Sequence, residues 1–346
     1  MDRSNLTYYL AERPSAEIIP GKTFQARTEP APTADDLKEG DALVESLYLS
    51  LDPAARDGIN STRSYGPPVE IGARMRATAI VRVLSSKTAK VKAGDIVCAP
   101  IGWTEVAIVP EAQIDKFEVP KGSDVTERLC ALGGVGLTAY FGITTIALPK
   151  PGETIVVSSA AGAVGSFAGQ IAKIFGARVV GIAGTDEKCA WLRDDMGFDA
   201  ALNYKSPSFK EELAAATPDF VDMYWDNVGG ELLDAVLERA AKGARFVLCG
   251  AISGYNSETK QTAGVRNLTY AITQRVTLKG FIVFDHLAGI PRAREEISRW
   301  IEEGKLKSRV TIVRGGLKEV EAGIAMLYRG GNIGKTLLEV KSPGDE

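Results

Sequence analysis

The segment Ala160-Ala161-Gly162-Ala163-Val164-Gly165 follows a short apolar run, Thr154 to Ser158, and leads into Val164 to Phe175, whose apolar residues have helical spacing. A strand that enters a helix through G-x-x-G is built to hold a phosphate. Gly162 lets the backbone approach a pyrophosphate. Gly165 lets the helix pack against the strand, and Ala163 and Val164 open the helix. The unpaired N–H groups of that first turn and the positive end of the helix dipole then face the anion. The first glycine of the dinucleotide fingerprint is replaced by Ala160. Alone, G-x-x-G is a weak signal. Here a strand precedes it, a helix follows it, and a second strand, Arg178 to Ile182, comes at the expected distance, which is the context the motif requires. The competing reading is a tight turn needed only for packing.

The end of the second strand selects the cofactor. An acidic residue there would hold the ribose hydroxyls of NAD, but Gly181-Ile182-Ala183-Gly184-Thr185 carries none. Lys188 follows on the first turn of the next helix, and a cation without a competing carboxylate suits the extra phosphate of NADPH. Tyr204, in Asn203-Tyr204-Lys205, follows the next short strand and is placed to line the same pocket. The alternative for Lys188 is a solvated helix charge paired with Asp186 or Glu187.

Metal chemistry finds little support. The chain has one histidine, His286, and four cysteines, Cys98, Cys130, Cys189 and Cys249, with no C-x-x-C pair among them. Structural zinc sites want short paired spacings, and an imidazole-rich catalytic zinc needs several histidines. The cysteines read as small buried hydrophobes. With 41 basic and 44 acidic residues the net charge is −3, which excludes the basic footprint of a general nucleic-acid binder. No apolar stretch approaches the roughly 20 residues that span a bilayer. The first residues lack the basic and apolar regions of a signal peptide. A cytoplasmic location is the expectation.

These residues must be held by a scaffold. A chain of 346 residues has a prior of about two domains. The first part reads as β-rich, with candidate strands at 42–49, 77–84, 96–99 and 104–109 separated by turn signals, as in a small barrel-like domain. Near residue 130 the pattern changes. Strands at 154–158, 178–182, 200–202, 221–225 and 245–248 alternate with helical stretches, which implies a doubly wound parallel sheet. Strand patterns return at 310–313 and 332–341, so the chain end is expected to rejoin the first domain.

Taken together, these stretches resemble the zinc-independent medium-chain dehydrogenase/reductase superfamily. The match is narrowest with the branch of leukotriene/prostaglandin reductases, alkenal double-bond reductases and curcumin reductases. It rests on Gly136-Leu137-Thr138-Ala139-Tyr140, Ala160 to Gly165, Gly181 to Gly184, Asp226-Asn227-Val228-Gly229-Gly230 and Cys249-Gly250-Ala251-Ile252-Ser253-Gly254-Tyr255-Asn256, with Ser64-Tyr65-Gly66-Pro67-Pro68 and Ile71-Gly72 in the first domain. The resemblance implies an α/β protein. A GroES-like β-rich catalytic domain would cover 1–128 and 306–346, a Rossmann NADP-binding domain 129–305, and two chains would form a homodimer. It also implies reduction of a carbon–carbon double bond conjugated to a carbonyl, by NADPH. Carried over by motif, the cofactor contacts would be Gly162, Ala163, Val164, Gly165, Lys188, Tyr204 and Asn227. The segments Cys249, Gly250, Ala251, Ile252, Ser253 to Tyr255 and Phe281, Ile282, Val283, with Asn332, would complete the cleft. One departure is Ala54-Ala55-Arg56 after Asp52-Pro53, where the branch usually has a bulky pair.

Conjugate reduction needs a hydride at the β-carbon, stabilisation of the growing enolate oxygen, and a proton at the α-carbon. The cofactor supplies the hydride, and the protein supplies position and polarity. Neither role demands a metal or a histidine. Tyr255 is the first candidate donor to the enolate oxygen, because it sits in a Gly-rich loop after a strand of the parallel sheet, where such folds place ligand contacts. Tyr65, in a Pro/Gly-flanked loop of the β domain, is the second. The competing readings are a half-buried packing tyrosine and a loop anchor. His286 reads as structural, and Asp52 and Arg56 as braces. The other functions consistent with these residues are a quinone reductase, a dedicated enoyl reductase of a biosynthetic pathway, and an NADPH-binding structural or regulatory subunit.

Overall fold

In the computed structural model, residues 3–256 and 264–344 are described. The chain divides into two compact units, Met1–Leu129 with Val310–Asn332 and Thr336–Glu346, and Cys130–Arg309 with Ile333–Lys335.

The first unit is built on the strand Asp41–Ser50, which is buried along almost its whole length. It pairs antiparallel with Ala79–Ser86, Val106–Pro110 and Lys335–Glu339. Ile96–Ala99 and Val310–Val313 extend the sheet at its ends. A strand covered on both faces can use apolar side chains at consecutive positions instead of alternating them. A separate hairpin, Ser4–Leu10 with Phe24–Pro30, lies outside this sheet. Trp103 tethers it, its carbonyl accepting from Tyr8 N–H at 3.0 Å while its ring meets Phe24 edge-on at 4.8 Å. The sequence pattern did not announce this hairpin. Glu45, 2% exposed, lies 2.5 Å from Arg3, 3.7 Å from Arg82 and 3.2 Å from Lys341. It thereby ties both chain ends to the central strand.

The second unit carries a six-stranded parallel sheet. The order is Thr277–Gly280, Ala240–Leu248, Val221–Asp226, Thr154–Val157, Arg178–Ala183, Ala200–Asn203. The helices Ala163–Ile174, Asp186–Asp194, Phe209–Ala216 and Gly230–Leu237 connect the strands. Val156, Val180, Ile182, Tyr224 and Phe246 are fully buried in one core cluster. Five of the six strands follow the alternation read from the sequence. The sixth, Thr277–Gly280, is mostly exposed, which is why no apolar run marked it. The final strand is also shorter than its sequence pattern, Lys335–Glu339 instead of 332–341. Gly334 leaves the pattern because it bridges to Gly162. No helix among the described residues is long and apolar enough to cross a membrane.

Candidate functional site

The phosphate turn has the geometry its residues require. Gly162 caps the helix Ala163–Ile174; its N–H donates to Ser159 O at 2.9 Å and its carbonyl accepts from Ser166 N–H at 3.1 Å. A Cβ on Gly165 would lie 2.5 Å from Ser159 O and 2.9 Å from Ala160 Cα, and one on Gly162 would lie 3.1 Å from Ser159 O. Any side chain at Gly165 would push the helix off the turn. The first-turn N–H groups of Ala163, Val164 and Gly165 have no partner within the helix. With the two glycines they form a cradle that fits a pyrophosphate.

A cationic corner lies at the end of the neighbouring strand. The Tyr204 ring comes to 3.0 Å of where a Cβ on Gly184 would stand. The Lys205 ammonium sits 5.8 Å from the centre of that ring. Thr185 caps the next helix by accepting from Lys188 N–H at 3.2 Å. Burial lowers the Lys188 pKa, the nearby Lys205 charge lowers it further, and Glu187 opposes them. Asp186 is held elsewhere, its carboxylate taking the Asn203 amide at 2.8 Å. Two ammonium groups that feel each other beside an exposed aromatic ring make a corner suited to a phosphate dianion. Lys205 was not singled out by the sequence; its only signal there was adjacency to Tyr204.

The loop carrying Tyr255 is tied to the turn after Val221–Asp226. Cys249 and Gly250 N–H groups donate to Asp226 O at 2.9 and 3.0 Å, Ile252 N–H to Asn227 O at 3.2 Å, and Ser253 N–H to Val228 O at 3.2 Å. The Tyr255 hydroxyl lies 3.4 Å from Ala251 N. The Asn227 side chain accepts from Trp225 Nε1 at 3.0 Å and donates to Ser158 O at 2.7 Å. Much of its hydrogen-bonding capacity therefore serves the protein. Burial pushes the Cys249 thiol up to about 12, with Asp226 adding to the effect. Such a thiol is not a nucleophile at neutral pH. Phe281, at the end of the edge strand, meets Trp225 edge-on at 6.0 Å, and Ile282 and Val283 are half-buried beside it. His286 stacks on Phe141 with ring centres 4.8 Å apart, a packing role. Ser158 and Asp226 were absent from the sequence-derived set because their burial could not be seen in the residue string.

The remaining predicted residues belong to the first unit. Asn332 is buried there, and Tyr65 is 59% exposed. Partial desolvation raises the Tyr65 pKa first, followed by the charges of Asp57 and Asp52. Its loop is anchored by Ser64 Oγ donating to Asp57 at 2.5 Å and by Arg76 donating to Pro67 O at 2.7 Å. Arg56 is fully buried; it donates to Asn60 and, at 2.7 Å, to Ala16 O. Asp52 accepts from Ser50 Oγ.

A sequence model described as the N-terminal domain of oxidoreductases matches residues 7–117, and one described as zinc-binding dehydrogenase matches residues 163–303. The chain is 40% identical to the putative NADP-dependent oxidoreductase YfmJ of Bacillus subtilis, over 99% of this chain and 100% of that one. It is 39% identical to the NADP(+)-dependent 2-alkenal reductase of Nicotiana tabacum, over 87% of each. The solved structure of CurA from Vibrio vulnificus in complex with NADPH superimposes with a TM-score of 0.90 at 34% identity, covering 98% of this chain and 100% of CurA. The chain belongs to the medium-chain dehydrogenase/reductase superfamily, in the branch that holds these reductases. Among the described residues no group of three or more His, Cys, Asp or Glu side chains could hold a metal.

Proposed function

We propose that this protein is an NADPH-dependent reductase of carbon–carbon double bonds conjugated to a ketone or aldehyde. The observation that carries the reading is the Tyr255 loop, suspended beside the phosphate turn's strand on a parallel sheet whose relatives are named NADP-dependent reductases. NADPH, when bound, supplies the hydride. Gly162, Ala163, Val164 and Gly165 would hold its pyrophosphate, Lys188 and Tyr204 its 2′-phosphate corner, and Asn227, Cys249 to Ser253, Phe281 to Val283 and Asn332 the rest. Tyr255 would donate to the enolate oxygen as charge builds there, a contribution of roughly 3 kcal/mol for a well-placed donor. Tyr65, on the substrate-binding first unit, is the second candidate donor.

We also propose a homodimer. The strand Thr277–Gly280 pairs on one side with Ala240–Leu248, and Leu268, Ile272, Phe284 and Leu287 nearby in sequence are exposed. A sheet edge flanked by apolar side chains is a surface that proteins usually cover. A cytoplasmic setting belongs to the same proposal, since the four cysteines are all thiols, as a reducing compartment keeps them. The experiment is NADPH consumption against a panel of enones, alkenals and quinones. Turnover of simple enones and alkenals with a saturated carbonyl product is the expected result. Turnover of quinones alone would make the protein a quinone reductase, and no turnover with tight NADPH binding would favour a regulatory subunit.

A further inference from the structure

Asp226 ends its strand almost fully buried, 2% exposed. One carboxylate oxygen, Oδ1, accepts four donors: Gly229 N–H at 2.8 Å, Val228 N–H at 2.9 Å, Tyr224 Oη at 3.0 Å and Ser158 Oγ at 3.2 Å. Ser158 Oγ in turn accepts from Asn227 N–H at 2.9 Å. The carboxylate therefore fixes the backbone of the turn 226–229 through three of its N–H groups, two directly and one through Ser158. That turn presents three consecutive carbonyls to the loop 249–253. Asp226 O takes two N–H groups, Asn227 O takes one, and Val228 O takes the N–H and hydroxyl of Ser253. The loop then folds Tyr255 back so that its hydroxyl sits 3.3 Å from where a Cβ on Gly250 would stand. Each link is a hydrogen bond with short leverage, so a shift of the turn moves the phenol.

We propose that Asp226 is a positioning residue, whose buried carboxylate sets the place of the Tyr255 hydroxyl through the turn 226–229. This role rests on the reading of Tyr255 as the enolate donor. An anion is the acceptor suited to four donors at once, since hydrogen bonds to a charged acceptor are roughly twice as strong as neutral ones. Burial raises the pKa of Asp226, and the hydrogen bonds of Gly229, Val228, Tyr224 and Ser158 oppose that rise. The carboxylate is thus kept in the core at a cost that a purely apolar turn would not carry.

The test compares Asp226→Asn, Tyr255→Phe and the double variant in the full-length protein, with 3-fluorotyrosine at position 255 as a second readout. Asparagine keeps an acceptor oxygen of the same shape, so the fold should hold by circular dichroism. Turnover of an enone should fall about 10-fold in Asp226→Asn, by more than the rise in the NADPH dissociation constant, since the turn also carries the loop 249–253 that lines the proposed cofactor site. The double variant should be no more than about 2-fold slower than Tyr255→Phe alone, since the two changes remove one effect. The fluorine resonance at position 255 should shift or broaden in Asp226→Asn. Where Tyr255→Phe slows turnover, unchanged turnover in Asp226→Asn, or losses that multiply in the double variant, would overturn the proposal. An unmoved fluorine resonance would overturn it as well. A silent Tyr255→Phe with a displaced resonance would keep the positioning role and remove the donor reading instead.

Discussion

The backbone N–H of Gly334 donates to the carbonyl of Ala161 at 2.8 Å, so a residue near the end of the sequence pins the turn proposed to cradle the phosphate. Gly334 has φ of 70°, and a Cβ there would lie 2.0 Å from Arg309 O. Gly334→Ala should destabilise the protein by at least about 1–2 kcal/mol from left-handed backbone strain alone, with the clash adding more. It should also raise the Michaelis constant for NADPH several-fold. Thermal unfolding and an NADPH titration check both; a variant normal in both would show that the turn stands without this pin.

Lys188 is the charge on which the cofactor preference should turn. A charge-assisted contact to phosphate contributes roughly 1.5–3 kcal/mol. Lys188→Ala should therefore raise the Michaelis constant for NADPH by one to two orders of magnitude, leaving NADH nearly unaffected. Burial and Lys205 hold the Lys188 ammonium below its ordinary pKa, so the preference should fade at a less alkaline pH than a solvated lysine would give. Equal losses for both cofactors would refute the assignment.

Removal of metal should change nothing. His286 is stacked on Phe141, and among the described residues no group of three or more His, Cys, Asp or Glu side chains is placed to hold a metal. Incubation with a chelator should leave both activity and melting temperature as they were. A stoichiometric zinc in the purified protein, lost together with activity, would reverse this.

How much of this was legible depends on whether a residue's role is local. Gly162 and Gly165 act within a strand–turn–helix unit, so their spacing announced the turn. The parallel strands were visible because burial on both faces writes continuous apolar runs such as Thr154 to Val157. Thr277–Gly280 is exposed at the edge and wrote no such run. The Ser4–Leu10 hairpin was missed because its partner strand, Phe24–Pro30, is almost wholly exposed and polar. Asp226 could be read as part of a motif, yet its four donors come from Ser158, Tyr224, Val228 and Gly229. Ser158 is distant in the chain, and no pattern links it to Asp226. Lys205 differs again: its meaning came only when its charge was found to bear on Lys188.

The Glu45 cluster predicts a pH dependence of stability. Burial would raise the Glu45 pKa, but hydrogen bonds and charges from Arg3 and Lys341 outweigh it and hold the carboxyl below its usual range. A carboxylate with a depressed folded-state pKa stabilises the fold above its unfolded pKa, about 4.3 for glutamate. That contribution is lost as pH falls through the folded value. Arg3, Arg82 and Lys341 are partly exposed, so Glu45→Gln should cost about 1–3 kcal/mol at neutral pH, less than a fully buried pair. Denaturant titrations of both proteins should converge as pH drops below about 4. A gap that stays constant with pH would assign the loss to packing.

Tyr255→Phe is the sharpest test of the chemistry. The substitution removes a hydroxyl that lies 3.4 Å from Ala251 N and keeps the ring. The anchoring hydrogen bonds of Cys249, Gly250, Ile252 and Ser253 are made by other atoms and should survive. NADPH affinity should therefore hold. Turnover should fall by roughly 10- to 1,000-fold, the upper end being that of a full oxyanion donor. The lower end applies where a ribose hydroxyl of the cofactor shares the developing charge. Stopped-flow hydride transfer with NADPH and a simple enone separates this from slow product release, because only a lost donor slows the chemical step. Normal hydride transfer with weakened NADPH binding would make Tyr255 a wall of the cofactor site. Tyr65→Phe would then be the next variant to carry the same loss, and if it too were silent, water would be left to deliver the proton.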